Sequence, residues 1–193
     1  DQVVRSNYSG EFGIMLSGSK GALRLSGEYL LGKALVGVNG TDVNGTSFYT
    51  LDSRVSAMVP MASLETAILK GSAGRIMVGG GLGYAFVFLD QEYHMTSAGT
   101  AALGVTDYIE KSSTQTLAWK LYAIAETPFV DTTSFCFEAG YRSIKVGSLT
   151  SRKATTAISG TQVEGAEIRN MDGSNRAFDL GGAYVAVHFR FYL

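Results

Sequence analysis

Three side chains with catalytic potential lie close together in the segment DQEYHMTS, residues 90–97. Asp90, His94 and Ser97 are the residue types of an orienting acid, a general base and a nucleophile. Three polar residues within one short loop often arise by chance, so we interpret them as solvated loop side chains. We therefore expect a protein that is not an enzyme.

A second candidate site is a set of charged residues at alternate positions, facing away from the apolar side chains. Five acids balance five bases in this set, which suits a narrow interior because an isolated buried ion is very costly. His188 could titrate near neutral pH as a gate or sensor, but we favour a hydrogen-bonded interior residue. The predicted network consists of Glu11, Arg24, Glu28, Asp52, Arg54, Lys120, Glu126, Glu138, Arg142, His188 and Arg190.

Metal, phosphate and nucleic-acid chemistry find little support in the sequence. The carboxylates of the polar segments match no calcium-loop spacing, and GRIMVGGGLG (74–83) lacks the Gly-Lys-Ser/Thr of a phosphate loop. The net charge is −1 and no basic run occurs, which argues against a nucleic-acid partner. A single cysteine, Cys136, excludes an internal disulfide. We expect no metal and no cofactor.

The elements that would carry these side chains are β-strands, because apolar and polar residues alternate with a period of two. Seven segments show the alternation clearly: 7–17, 23–31, 49–59, 75–89, 116–126, 135–142 and 182–193. An eighth strand would lie in Leu30–Val38 or in Pro60–Gly74. The second stretch also has helical spacing, so a short helix is the alternative there.

The connections between these strands alternate in length. Gly18–Gly21 and Thr127–Ser134 are short, whereas Val38–Ser47, Asp90–Ser113 and Ser148–Arg176 are long and polar. Short turns at one end and long loops at the other are typical of transmembrane barrels. We expect one domain over residues 1–193, with outer loops 38–47, 90–113 and 148–176.

The apolar faces of the strands are the expected lipid-facing surface. The lipid-contact candidates are Ile76, Val78, Leu82, Phe86, Phe88, Phe189 and Phe191, and aromatic girdle candidates include Tyr8, Tyr29, Tyr49, Trp119 and Tyr141. In the third segment we assign Tyr49, Leu51, Val55, Ala57 and Val59 to this face. The alternative is a soluble barrel of the lipocalin kind, but its wet face would carry far more charge than the 17% of charged residues allows.

One stretch departs from the pattern, because both faces of Ile76–Leu89 are apolar. Its inward wall of Gly, Ala and Val would accept an aliphatic ligand or a plug. Alternatively, this strand would lie against a second protomer.

The C-terminal tail YVAVHFRFYL resembles the assembly signal of Gram-negative outer-membrane proteins, with Leu193 in place of the usual terminal Phe and Phe191 two residues earlier. Length and loop rhythm resemble the small eight-stranded barrels of the OmpA and OmpX type. The resemblance implies an all-β, antiparallel, transmembrane up-and-down β-barrel of eight strands, with the last strand pairing with the first. It also implies a bacterial outer-membrane location.

The same resemblance sets the expected partners and function. Membrane lipid or lipopolysaccharide would surround the barrel, and the barrel-assembly machinery would bind the C-terminal strand. The expected function is a non-enzymatic structural or surface-binding role through the outer loops. A porin-like or lipid-holding barrel, as a single chain or a homo-oligomer, is one alternative. A lipid A acyl hydrolase or acyltransferase is the other, since some small barrels carry Ser and His at the lipid boundary.

Overall fold

The computed structural model describes residues 7–18, 21–32, 34–170 and 172–191. Over these residues the chain is mostly antiparallel β-sheet, which confirms the all-β prediction. Its elements are β1 (Asn7–Ser17), β2 (Ala22–Gly32), β3 (Leu35–Thr41), β4 (Ser47–Gly71), β5 (Gly74–Met95), α1 (Ser97–Leu103), β6 (Tyr108–Val130), β7 (Thr133–Val146), β8 (Leu149–Ser151), β9 (Thr155–Ala157), β10 (Gly160–Gln162), β11 (Glu167–Ile168), β12 (Phe178–Asp179) and β13 (Gly182–Phe191). No helix among the described residues is long and apolar enough to cross a membrane.

The long strands form an antiparallel meander in chain order. Strand β1 pairs with β2, and β2 and its continuation β3 pair with β4. Strands β5, β6, β7 and β13 then follow as successive neighbours. The two stretches proposed to hold an eighth strand do not add one: Leu30–Val38 completes β2 and enters β3, and Pro60–Gly74 lies mainly in β4. No helix forms there.

Short turns and longer connections lie at opposite ends of the sheet, as predicted. The turn end has the connections around Gly18–Gly21, whose Ser19 and Lys20 lie outside the described residues, and at 71–74 and 130–133. At the loop end the predicted loop 38–47 is only the turn between β3 and β4, and the predicted loop 90–113 is the α1 connection between Met95 and Tyr108. The reason is that the strands continue as polar extensions, which the sequence alone does not distinguish from loops. The third region, 148–176, contains β8 to β11.

The sheet is strongly curled. Strands β2 and β7 are separated by β4, β5 and β6 in the pairing order. Even so, Arg24 Nη1 of β2 lies 3.0 Å from Glu138 Oε2 of β7. The sheet therefore has a concave face, on which these side chains meet, and a convex face.

The sheet does not close in the described part of the chain. The pairings include none between β1 and β13, so the expected contact of the last strand with the first is not observed. Strand β1 precedes the turn-end connection around 18–21, and β13 follows the last loop-end connection. Both strands therefore run from the loop end to the turn end. Tyr192 and Leu193, which belong to the C-terminal signal, lie outside the described residues.

The convex face carries a belt of exposed apolar side chains. Phe12 is 82% exposed, Leu64 70% and Val185 73%. All the lipid-contact candidates lie on this face: Ile76, Val78, Leu82, Phe86, Phe88, Phe189 and Phe191. They stand at the parity opposite to the buried residues of β5 and β13.

The concave face has two layers. The layer towards the loop end is apolar and contains Leu30, Ala57, Val59, Met61, Ala85, Val87, Leu89, Ala118, Ile144, Val146, Leu149, Ile168 and Leu180. The layer towards the turn end is charged and surrounds a small apolar cluster of Met77, Tyr122, Ile124 and Cys136. The assignment of Ala57 and Val59 to the lipid face is therefore wrong, because β4 contributes this parity to the apolar layer.

Candidate functional site

The candidate site is the charged layer of the concave face. Alternation along each strand places every second side chain there, so distant segments contribute one or two members each. Its members are Glu11 from β1, Arg24 and Glu28 from β2, Glu65 from β4, Arg75 from β5, Lys120 and Glu126 from β6, Glu138 and Arg142 from β7, and Arg190 from β13. We call this set the concave charge network.

At the centre of the network, two cations and two carboxylates alternate. Arg24 Nη1 lies 3.0 Å from Glu138 Oε2 and 3.7 Å from Glu11 Oε1. Lys120 Nζ lies 2.8 Å from Glu11 Oε2 and 3.9 Å from Glu138 Oε1. The Lys120 side chain is only 2% exposed, and so is that of Glu138. Each ion thus has two opposite charges near it, which offsets the desolvation that burial imposes.

Glu65 anchors the part of the network nearest the turn end. Its carboxylate accepts two hydrogen bonds from Arg190 Nη2, at 3.0 and 2.8 Å. Arg24 Nε lies 3.2 Å away, and the Tyr122 hydroxyl donates to it at 3.1 Å. Arg190 also donates to Glu126, which a second arginine, Arg75, holds from β5. The Glu65 side chain is completely buried.

A third group joins the two sides of the curled sheet near the apolar layer. Arg142 Nη1 donates to Glu28 Oε1 at 2.5 Å, and its guanidinium lies 5.5 Å from the centre of the Tyr184 ring. The Tyr184 hydroxyl donates to Glu138. These contacts connect β2, β7 and β13 directly through their side chains.

Most predicted members of the network lie on the concave face, but Asp52 and Arg54 do not. They lie on the convex face of β4, in its extension towards the loop end. Arg54 is exposed, and Asp52 Oδ1 accepts the backbone amide of Gly37 at 2.7 Å. The sequence assignment failed because the polar face of this extension is not continuous with the charged layer.

Two members of the network were missed by sequence reasoning. Glu65 lies in Pro60–Gly74, the stretch for which the sequence left both a strand and a helix open. Arg75 directly follows that stretch. The alternation of Met61, Ser63 and Glu65 with apolar neighbours was the signal that could have placed Glu65 on the concave face.

His188 lies on the concave face of β13 as predicted, but outside the ion pairs. It is partly buried, and its Nε2 atom is buried with no hydrogen-bond partner among the described residues. Our interpretation of His188 as a hydrogen-bonded interior residue is therefore not supported at its Nε2 atom.

On the concave face of β5, Gly79 and Gly81 are covered by side chains of the neighbouring strands. A Cβ atom on Gly79 would come within 2.6 Å of the Tyr122 ring, so only glycine leaves room for that ring. At Gly81 a Cβ would meet Met61 Sδ at 2.9 Å. At these positions the wall therefore has no space for an aliphatic ligand.

The three residues with catalytic potential do not converge. Asp90 pairs with Arg152 at 2.5 Å on the convex face. His94 lies 3.8 Å from Glu92 and 3.7 Å from Asp107, and all three are substantially exposed. Ser97 begins α1, and no hydrogen bond joins it to His94 within the described ranges. Among all the residues that the structure describes, no group of three or more His, Cys, Asp or Glu side chains could hold a metal ion.

The loop-end extension of the sheet is tightly packed. The Tyr93 and Tyr108 rings stack with centroids 4.5 Å apart and planes 9° apart, and Tyr49 packs on Tyr93 at 5.4 Å. Tyr49 is therefore part of this cluster and not of a lipid-facing girdle. Burial, reinforced by Glu110, raises the pKa of Tyr93, and burial raises the pKa of Tyr108 to about 12.

A partly buried ion pair holds the last connection on this extension. Arg176 Nη1 lies 3.0 Å from Glu110 Oε2, and it also donates to Gln91. Gln162 Nε2 donates to the other Glu110 oxygen at 2.8 Å. The segments around β10 and β12 are thereby held on β5 and β6 by specific contacts.

The structure is thus an antiparallel sheet with a salt-bridged concave face and a convex face that carries an apolar belt. At the loop end lies a packed extension with the Tyr49, Tyr93 and Tyr108 cluster and the Arg176–Glu110 pair, which we call the platform. No family model, curated protein or solved structure matches this chain.

Proposed function

We propose that this chain is an outer-membrane β-barrel protein with a structural or surface-binding role, and that it is not an enzyme. The observation that carries the proposal is the inverted distribution of polarity. Lys120, Glu138 and Arg142 are 2%, 1% and 3% exposed, whereas Phe12 and Leu64 are largely exposed. Soluble proteins have the opposite arrangement, and lipid-facing barrels have this one.

The size of the exposed belt makes water an unsuitable solvent for it. Burying a large apolar side chain contributes about 1.5–3 kcal/mol, and the belt extends over all the long strands. Soluble monomers rarely expose a contiguous apolar patch of more than a few hundred Å². Acyl chains around the belt would remove this cost.

Aromatic side chains at both borders of the belt support the same proposal. Towards the loop end, the Trp119 and Tyr141 rings pack 5.8 Å apart, and the Tyr84 and Phe86 rings 6.3 Å apart. Towards the turn end, Phe189 contacts Phe135 at 5.7 Å and Phe129 at 6.4 Å. Tyr8 and Tyr29 continue the first border on β1 and β2. Two aromatic girdles are expected where a barrel meets the two interfaces of a bilayer.

We propose further that the functional barrel is closed and has eight strands. An open edge in hydrocarbon would leave backbone groups unpaired, and bacterial barrels have even strand numbers. The free edges of β1 and β13 run in the same direction, so one additional strand, antiparallel to both, would complete the sheet. A second copy with the same membrane orientation would present parallel edges, which argues against closure by dimerisation.

The packed apolar layer of the concave face favours a binding role over a porin-like one. The concave charge network and the apolar layer above it occupy the space through which ions would pass. The ordered platform at the loop end, held by contacts such as the Tyr93–Tyr108 stack, is the surface available to partners outside the cell. Rigid sheets that hold such loops in place commonly serve binding.

The proposal is tested by labelling cysteines on intact cells. In a Cys136→Ser background, Val43→Cys at the loop end should react with a membrane-impermeant maleimide. Asp131→Cys at the turn end should react only after the outer membrane is permeabilised. Both native side chains are exposed, so accessibility alone does not separate them. Equal labelling of both on intact cells would contradict the proposed location and orientation.

A further inference from the structure

A row of charged side chains crosses the convex face next to the belt, at its loop end. Arg54, Asp90 and Lys111 are register partners on β4, β5 and β6. Arg152, which follows β8, joins this row because its backbone amide donates to the Lys111 carbonyl at 2.7 Å. We call Arg54, Asp90, Lys111 and Arg152 the basic row. Three cations and one carboxylate give it a net charge of about +2 at neutral pH, by their ordinary pKa values.

One cation of the row is held in an ion pair, and the other two have no ion-pair partner among the described residues. Arg152 Nη2 lies 2.5 Å from Asp90 Oδ1, and its guanidinium lies 5.1 Å from the centre of the Phe88 ring. Asp90 is thus neutralised by Arg152. Arg54 and Lys111, which are both exposed, flank this pair on the adjacent strands.

The position of the basic row relative to the belt indicates the kind of ligand that it would bind. Phe88 precedes Asp90 by two residues on the same face of β5, so the row lies about 7 Å beyond the last aromatic ring of the belt. The next row towards the loop end carries Asp52 and Glu92, which are also register partners. On β4, β5 and β6 the positive charge at this end of the convex face is therefore confined to the basic row, which on β5 lies directly beyond Phe88.

We propose that the basic row binds the phosphate groups of a lipid headgroup whose acyl chains lie on the adjacent belt. This inference rests on the proposed membrane function and names a ligand for it. Arg and Lys are the side chains that pair with phosphate. Arg54 and Lys111 lie on the two strands either side of Asp90, about 10 Å apart by the usual strand spacing, so the two phosphates of one diphosphorylated glycolipid can meet both.

The experiment measures binding of lipid A by the protein in phosphatidylcholine nanodiscs, followed by native mass spectrometry. The variant is R54Q/K111Q, which leaves the Arg152–Asp90 pair intact. The control is K70Q/R169Q, which removes the same charge at the turn end and in the outer connection. Each basic residue near a lipid surface contributes a factor of about five. We expect the first variant to bind lipid A about thirtyfold more weakly and the control to bind it within twofold of the parent.

Three results would overturn the inference. One is unchanged lipid A binding by R54Q/K111Q, and another is equal binding of dephosphorylated lipid A by the parent. The third is full displacement of lipid A by an equal concentration of inorganic phosphate, which would make the row a site for the free anion. Failure of the protein to enter nanodiscs at all would instead contradict the proposed function itself.

Discussion

Replacing Glu65 by glutamine tests whether the concave charge network is shielded from water. The substitution keeps the shape of the side chain and removes its charge. Two buried cations are affected, because Arg190 donates to this carboxylate and Arg24 lies 3.2 Å from it. The Tyr122 hydroxyl can still donate to the amide oxygen. The variant therefore isolates the loss of charge from the loss of packing.

The magnitude follows from what each cation retains. Arg190 keeps Glu126 at 3.0 Å, and Arg24 keeps Glu138 at 3.0 Å. Removing one partner of a buried pair costs about 3–5 kcal/mol when the remaining charge has no other partner. Because both arginines keep at least one carboxylate partner, we expect a loss at the lower end, about 3 kcal/mol of unfolding free energy.

The assay is urea unfolding in lipid bilayers, followed by fluorescence, with E167Q as the matched control. Glu167 also pairs with an arginine, Arg169, at 3.1 Å, but that pair is exposed. Exposed pairs contribute about 0–1 kcal/mol, so E167Q should change stability by less than 1 kcal/mol. If E65Q were as mild as E167Q, the interior would behave as water and the argument for a dry network would fail.

Further expectations concern packing, the belt and the platform. Gly79→Ala forces the Tyr122 ring to move and should destabilise the protein by about 1–3 kcal/mol, whereas Gly10→Ala, with open space around its Cβ position, should have little effect on packing; urea midpoints compare them. Leu121→Arg, in the middle of the belt, should cost about 2–4 kcal/mol in a bilayer, and an equal cost for Val163→Arg in the outer connection would argue against lipid contact. Because burial raises the pKa of Tyr108 to about 12, the unfolded state loses this proton first. Stability should fall as pH rises from about 10 to about 12, and Tyr108→Phe should lessen that fall in unfolding midpoints measured across the range.

The alternation of side chains was sufficient to predict the strands and most of the concave face. Lys120 and Arg190 were identified because a charged residue at every second position between apolar residues has one consistent interpretation. The same rule failed for Arg54, because strand β4 continues past the belt and its outward face there becomes polar. Parity gives the two faces of a strand, but it does not say which one is concave.

Other features of the structure could not be predicted from the local sequence pattern. The apolar layer depends on Leu149, Ile168 and Leu180, which reach the core from the last long connection, and no periodicity marks them. The covering of Gly79 by Tyr122 depends on the register of β5 against β6. Register is set by the pairing of whole strands, so it could not be read from either segment.

The central claim is that acyl chains surround the convex face, and Trp119 allows the most direct test. It is the only tryptophan in the chain, and it lies on the convex face of β6 beside Tyr141. In bilayers of lipids brominated along the acyl chains, its fluorescence should be strongly quenched while the protein remains folded. A folded protein whose Trp119 emission is the same in brominated and unbrominated lipid would contradict the account.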